Sequence, residues 1–469
     1  MTNVPNLLAK AVAEVLPVNL VAGDTTTWPI ADRMAKYHVP GVSVCVIDKG
    51  EVAEAGGYGL TEAGGRPVGT DTVFAGASIS KPLTAVLALQ LVDEGRIDLD
   101  GPVNRHLTQW RIPENDFTRQ KPVTLRHLLS HRAGTTVHGF GNFPMDRPAP
   151  TLLEILNGQP PASQPAVVVD KLPGGSVRYS GGGTQVVQLL LEETTGLDFA
   201  TLAEERLFKP LGMSRTTFRH PLPPAIRAAS AIGHDKTGAP IASRLTFTPE
   251  LAAGGVYTTA PDYARFMVAC RNAWLGKKNA LLSPGLAKQM MQRQENGQFG
   301  LGWEIFGEGA KTRFAHGGSN EGYQCNTLCM LEQGSGAVVL TNALLGILLY
   351  TEVINGVARA YGWQNYFKPP KTIIPVSPER QAALVGRYDI VSGISAPHLD
   401  MWVENGQLHS FIEGLILPPR PIYLADNGRF FTQQTASETE IEWDREGRPV
   451  GLTVYAEGDT PLLQAVRRA

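Results

Sequence analysis

The sequence predicts an α+β protein with an appended all-β region. Three observations point there. Strand patterns lie near both ends of the first 366 residues, with helical patterns between them. That order suggests one sheet fed from both ends around a helical insertion. The predicted helices stop at glycines. After a proline-rich stretch, short alternating strands are joined by glycine turns to the end of the chain.

Residues 5–16 and 27–37 carry no glycine, and apolar residues recur at three and four, which predicts helices. Residues 41–59 (GVSVCVIDKGEVAEAGGYG) predict a hairpin turning at Asp48-Lys49-Gly50. Lys81 to Glu94 is an apolar helix closed by Gly95 as a C-cap. Residues 184–195 form another, ended by Gly196, and 199–207 and 261–274 are also helical. Strands follow at 327–332 and 336–341, turning at Gln333-Gly334-Ser335-Gly336, and then a helix at 349–361. The run FKPPKTIIPVSPE has no periodicity and predicts a linker over 367–378. Residues 1–366 are therefore one expected domain and residues 379–469 another. In the second, Asn405-Gly406, Asn427-Gly428 and Glu446-Gly447 separate alternating strands and predict an antiparallel barrel or sandwich.

Hydrophobic residues make up 43% and charged residues 18%, enough to bury a large core, which excludes wholesale disorder. Basic and acidic residues nearly cancel, 42 against 44, which argues against a nucleic-acid binder or a polybasic membrane binder. Four cysteines are too few for a disulfide scaffold, although one bridge stays open, and Cys45 in GVSVCVID reads as core filler. Cys325 and Cys329 are four apart, and no CxxC pair supports zinc. No apolar run is long enough to span a membrane. The N-terminal residues lack a basic region before their apolar stretch, so the expectation is a cytoplasmic protein, with a processed secreted form as the alternative.

The sharpest chemical feature is Ser78-Ile79-Ser80-Lys81 at the head of an apolar helix. Positions three apart share a helix face, so the ammonium of Lys81 lies beside the hydroxyl of Ser78. The helix N-terminus favours negative charge and so a developing oxyanion. Burial lowers a lysine pKa and lets it take the serine proton. Standing alone, the pattern reads more readily as an ordinary N-cap serine with a solvated lysine. Four further segments accompany it: PVTLRHLLSHRAGT (122–135), PGGSVRYSGGG (173–183), FGLGW (299–303) and FAHGGSNEGY (314–323).

Together these five motifs, in this order over about residues 28 to 345, resemble the serine β-lactamase and penicillin-binding-protein superfamily. The resemblance is to its class C-like branch of esterases, D-amino-acid peptidases and related serine hydrolases. It implies an antiparallel sheet flanked by helices with a helical subdomain, and a lipocalin-like C-terminal β-barrel. It makes 1–366 a catalytic domain with no cofactor and no metal. Ser78 matches the acylated nucleophile and Lys81 the lysine that activates it. Tyr179 matches the tyrosine of the Y-x-N motif, which carries the proton to the leaving group. His316 matches the first position of the K-T-G or H-x-G element on the sheet's edge strand, just before the strand that follows. The backbone N–H groups of Ser78 and Ser319 would form the oxyanion hole, and Gly317 and Gly318 would line the pocket.

Two positions depart from that pattern. Where the family has the asparagine of Y-x-N, this chain has Gly181. Where many members have a lysine that clamps a substrate carboxylate, it has His316, a titratable imidazole. Both point to ester, amide or peptide substrates of small size that lack such a carboxylate. The expected function is hydrolysis through a covalent acyl-enzyme, of the carboxylesterase or D-amino-acid amidase type. The alternatives are an acyltransferase or thioesterase that cyclises peptides, then a β-lactamase or D,D-carboxypeptidase. A β-lactam receptor that acylates without turnover needs a domain to signal to and usually a membrane anchor, and no transmembrane run is present, which places this reading last. The composition leaves the oligomeric state open.

The literal Lys236-Thr237-Gly238 lies in a polar turn too close to Tyr179 and reads as a surface loop. His127 and His131, four apart on a short predicted helix, could share a face toward a metal, but no third ligand is evident. His138 and Phe140, in TTVHGFGNF, are expected at the pocket mouth.

Overall fold

A computed structural model describes residues 6–143, 148–278, 280–295, 297–456 and 461–468. The chain divides into two compact units. One comprises the residues up to Ala9, Ala31–Tyr350 and Ala360–Tyr366; the other comprises Lys10–Ile30, Thr351–Arg359 and Phe367–Ala469.

In the first unit, six strands among the described residues form one antiparallel sheet. They are β1 (Gly41–Asp48), β2 (Glu51–Gly59), β5 (Glu304–Phe306), β6 (Arg313–Asn320), β7 (Tyr323–Met330) and β8 (Gly336–Thr341), in the order β2-β1-β8-β7-β6-β5. The early hairpin and the late strands therefore meet in one sheet, β1 pairing with β8. β1 is buried at every residue from Gly41 to Ile47, so both its faces are covered, and its run of valine and isoleucine follows from that. Lys49 and Gly50 take positive φ in the predicted turn. A separate pair, β3 (Phe74–Ala77) and β4 (Val256–Thr258), has no signal in the sequence, being only four and three residues long.

The predicted helices form with small boundary shifts, at Leu7–Ala13, Ile30–Lys36, Ser80–Asp93, Ala260–Trp274 and Gly346–Ala360. The segment expected as a helix at 199–207 is an α-helical turn, Phe199–Ala203, running into a π turn. The Ser80–Asp93 helix is buried almost all round, which its unbroken apolar sequence requires. It packs against the Gly181–Thr195 helix and the short Leu251–Gly254 helix. All four cysteines are buried and free.

The second unit is built on ten described strands in one antiparallel sheet, curled into a half-barrel around Tyr388, Leu399, Met401, Leu424, Phe430, Leu452 and Leu463. The three glycine turns form hairpins as expected, with positive φ at Asn405, Gly406, Gly428 and Gly447. The run expected as a linker carries an edge strand, Ile373–Ile374, of this sheet, and a helix starts at Pro378. Residues from the front of the chain join the same unit. Val18 N–H donates to Gln433 C=O, and Asn19 Nδ2 donates to the carbonyls of Thr432 and Thr435. No described helix is long and apolar enough to cross a membrane.

Candidate active site

Ser78 sits in the tight turn between β3 and the Ser80–Asp93 helix. Ala77, immediately before it, is held at φ +48°, a left-handed conformation that costs a non-glycine residue about 1–2 kcal/mol. Ser80, two residues on, is fully buried. It donates to Ala77 C=O at 2.7 Å and accepts from Val256 N–H at 3.0 Å, so it staples the strained turn to β4. Ser78 remains as the partly accessible hydroxyl.

Lys81 Nζ donates to Ser78 Oγ at 3.1 Å and to Ala253 C=O at 2.8 Å. The residue is 5% exposed, and burial pulls its pKa from 10.5 down to about 7. At neutral pH a large fraction is therefore free amine. Tyr179 shares a side-chain hydrogen bond with Ser78, and burial pushes its phenol well above its ordinary value, so it is protonated. Lys81 Nζ stands 4.8 Å from the centre of the Tyr179 ring. Ser78 thus faces a group ready to accept a proton and a group ready to give one.

His316 lies inside β6, four residues from its start. The edge strand is β5, which pairs only with Arg313–Ala315. Among the described strands, β6 has no partner on its outer side from His316 onward, so β6 serves as the sheet's edge at the functional residues although β5 lies outside it. The placement of His316 just before a strand is corrected to a place within one. Its Nδ1 is 2.7 Å from Gly317 C=O and carries the proton, which leaves Nε2 a buried acceptor without a described partner. Burial first, then the Lys81 charge, push its pKa down to about 3. The imidazole expected to titrate is neutral throughout the ordinary pH range.

A close approach of glycines joins β6 to the serine turn. A methyl group on Gly318 would lie 2.2 Å from Gly76 C=O of β3 and 2.5 Å from Cys325 Sγ. Ser319, next along β6, is exposed, and its Oγ accepts from Gln324 Nε2 at 2.7 Å.

The Tyr179 ring is surrounded by other rings. The centroids of His131, His138, Phe299 and His316 lie 4.3, 5.1, 6.0 and 6.3 Å away. His131 does not share a helix face with His127. The helix ends at Leu129, and His131 turns back with φ +56°. Its Nδ1 accepts the Ser180 N–H at 3.2 Å, and burial holds it neutral, well below its usual pKa. Sequence reasoning set His131 aside as structural, yet it packs directly on Tyr179. The available signal was its place in the HLLSH segment beside the other motifs. His127 instead caps its own helix, Nδ1 accepting Thr124 N–H. Phe299 of FGLGW packs edge-on against His131, and Trp303 is buried among Phe266, Tyr263 and Phe314. No cluster of three or more potential metal ligands exists among the described residues.

The glycines after Tyr179 are the first turn of the Gly181–Thr195 helix rather than a loop. They pack directly beneath residues 135–140. A methyl on Gly182 would meet Thr136 C=O at 2.9 Å, and one on Gly183 would meet Thr135 Oγ1 at 2.7 Å. Gly181 N–H donates to His138 C=O and Gly182 N–H to Val137 C=O, each at 3.0 Å. This clamp holds His138, which is exposed, beside Tyr179, and Phe140, half-buried, against Gly181. The literal Lys236-Thr237-Gly238 forms a surface turn closed on Asp235 Oδ1, with Lys236 and Thr237 exposed.

Comparison with known proteins agrees with this fold. The β-lactamase family model matches residues 30–348. Penicillin-binding protein 4 of Amycolatopsis lactamdurans is 26% identical over 382 residues, 76% of this chain and 95% of the relative. The octameric penicillin-binding protein homologue of Pyrococcus abyssi superposes with TM-score 0.64 at 21% identity, covering 93% of this chain and 98% of the other. The D-amino acid amidase of Ochrobactrum anthropi SV3 superposes with TM-score 0.56 at 23% identity, covering 71% and 95%. With a family model that matches more than half of its length, the chain belongs to the β-lactamase family, within the serine β-lactamase and penicillin-binding-protein superfamily of serine hydrolases.

Proposed function

We propose that the protein hydrolyses small esters or amides through an acyl-enzyme on Ser78, as a carboxylesterase or D-amino-acid amidase does. The observation that carries this is the 3.1 Å contact of Lys81 Nζ with Ser78 Oγ, together with a lysine pKa near 7. Neutral Lys81 takes the Ser78 proton as Oγ attacks the carbonyl carbon. The C=O π bond opens to an oxyanion, received by the N–H groups of Ser78 and Ser319; each such donor is worth roughly 3–4 kcal/mol in well-studied enzymes. Tyr179 gives its proton to the departing oxygen or nitrogen and is re-protonated from Lys81. Water then attacks the acyl carbon, its proton passes to the same groups, and the acid leaves Ser78. His316 Nε2, a buried acceptor without a described partner, is available to a donor of the substrate, or to Tyr179 once the site rearranges. A site with a neutral imidazole at this position offers no fixed charge for a substrate carboxylate, which favours substrates without one.

The test is side-by-side hydrolysis of p-nitrophenyl butyrate, nitrocefin and D-alanine p-nitroanilide, with Ser78→Ala as control. Ser78-dependent cleavage of the ester with nitrocefin inert supports the esterase form of this reading, and turnover of the anilide supports the amidase form. Rapid nitrocefin turnover would contradict both.

A further inference from the structure

Resting on the proposed acyl-enzyme reading, we infer that Phe140 takes the place of the missing asparagine side chain and makes the acyl-binding wall apolar. The preferred substrates then carry a hydrocarbon acyl chain with no amide next to the acyl carbon.

A Cβ built on Gly181 lies 2.7 Å from Phe140 Cε2 and 3.3 Å from Cδ2, so the ring where it stands occupies the space a side chain at 181 would need. The backbone just before the ring is held in place, because its loop is tied to the helix start. Besides the two bonds to Gly181 and Gly182, Ser180 Oγ donates to Thr136 C=O at 2.6 Å. The same bonds consume the polar groups that could have replaced an asparagine. Ser180 N–H donates to His131, Ser180 Oγ also accepts Gly183 N–H at 2.9 Å, and Ser180 C=O accepts Thr184 Oγ1 at 3.3 Å. The stretch beside Tyr179 therefore offers a substrate amide no donor or acceptor from Ser180 or from the Gly181 and Gly182 N–H groups. It offers the half-exposed face of Phe140 instead. An amide pressed against such a wall loses its water without replacement, which discriminates by about ten- to a hundredfold.

The experiment compares two p-nitrophenyl esters of matched chain length, pentanoate and N-acetylglycinate. Their kcat/KM values are normalised to each ester's uncatalysed hydrolysis. The wild type is expected to prefer pentanoate by about tenfold or more. Phe140→Leu, which keeps an apolar filler, retains the preference. Phe140→Ala narrows it, and Phe140→Ala combined with Gly181→Asn narrows it further or reverses it. Gly181→Asn alone, with the ring still in place, lowers turnover of both esters. Labelling of Ser78 by a fluorophosphonate is read in the same samples. Labelled protein with no preference in the wild type, or with the ratio unmoved in Phe140→Ala, overturns this inference alone. Loss of labelling in the wild type overturns the acyl-enzyme reading beneath it.

Discussion

Lys81 is the residue where stability and function pull apart. A buried ammonium whose pKa falls from 10.5 to about 7 costs on the order of 5 kcal/mol while it stays charged. The unfolded chain keeps this proton up to about pH 10.5 and the folded chain releases it near 7. Between those values the unfolded state binds more protons, so this group's contribution to stability rises with pH and is lost as pH falls to 7. Lys81→Met removes the charge and leaves the Ala253 carbonyl without Nζ, at about 1–3 kcal/mol. The first quantity is larger, so at pH 6 this variant is expected to melt a few degrees higher in calorimetry while losing ester hydrolysis. In the wild type, kcat/KM for p-nitrophenyl butyrate is expected to rise with pH through a midpoint near 7. An inflection shared with His316 is not expected, because that ring is already neutral. Tyr179→Phe keeps the ring contacts and removes the proton; kcat is expected to fall by about 10²–10⁴ in steady-state assays. Of these residues, Ser78, Lys81, Tyr179 and His316 were legible in the sequence, because each sits in a short motif with a fixed neighbour. His131 was not, since its approach to Tyr179 depends on a left-handed residue after a helix end.

At the scale of elements, the site is assembled by close backbone approaches. The Gly76 and Gly318 contact sets how near β6 comes to the serine turn. Gly318→Ala must push β3 from β6 or displace Cys325. It is expected to destabilise by about 1–3 kcal/mol in thermal unfolding and to lower kcat more than KM. A variant with wild-type kcat would mean that this approach does not position the site. The long apolar helices and the β1 hairpin were legible from periodicity and glycine stops. β3 and β4 were invisible because three or four residues carry no period. The Gly181–Gly183 run read as a loop because glycine is a poor helix former. It opens the helix capped by Ser180, and glycine is required there because a Cβ at each of the three positions would collide with residues 135–140, a tertiary contact that outweighs propensity.

At the scale of the whole molecule, chain order and compact units diverge. The half-barrel unit takes in Lys10–Ile30 and Thr351–Arg359, which a linear reading assigned to the first domain. Its glycine turns were legible, whereas pairing across some four hundred residues, such as Asn19 with Thr432, leaves no local trace. A chain ending at residue 366 would strip these segments of their partners. It is expected to give less soluble protein and a lower melting temperature than the full chain, measured by yield and calorimetry. The central claim, that Ser78 is the acylated group, is tested most directly by intact-protein mass spectrometry after fluorophosphonate treatment of the wild type, Ser78→Ala and Ser80→Ala. The prediction is a single adduct mapping to Ser78 in the wild type and its complete absence in Ser78→Ala. Ser80→Ala should still label, more slowly, since Ser80 only staples the turn. An adduct that survives in Ser78→Ala would contradict the assignment.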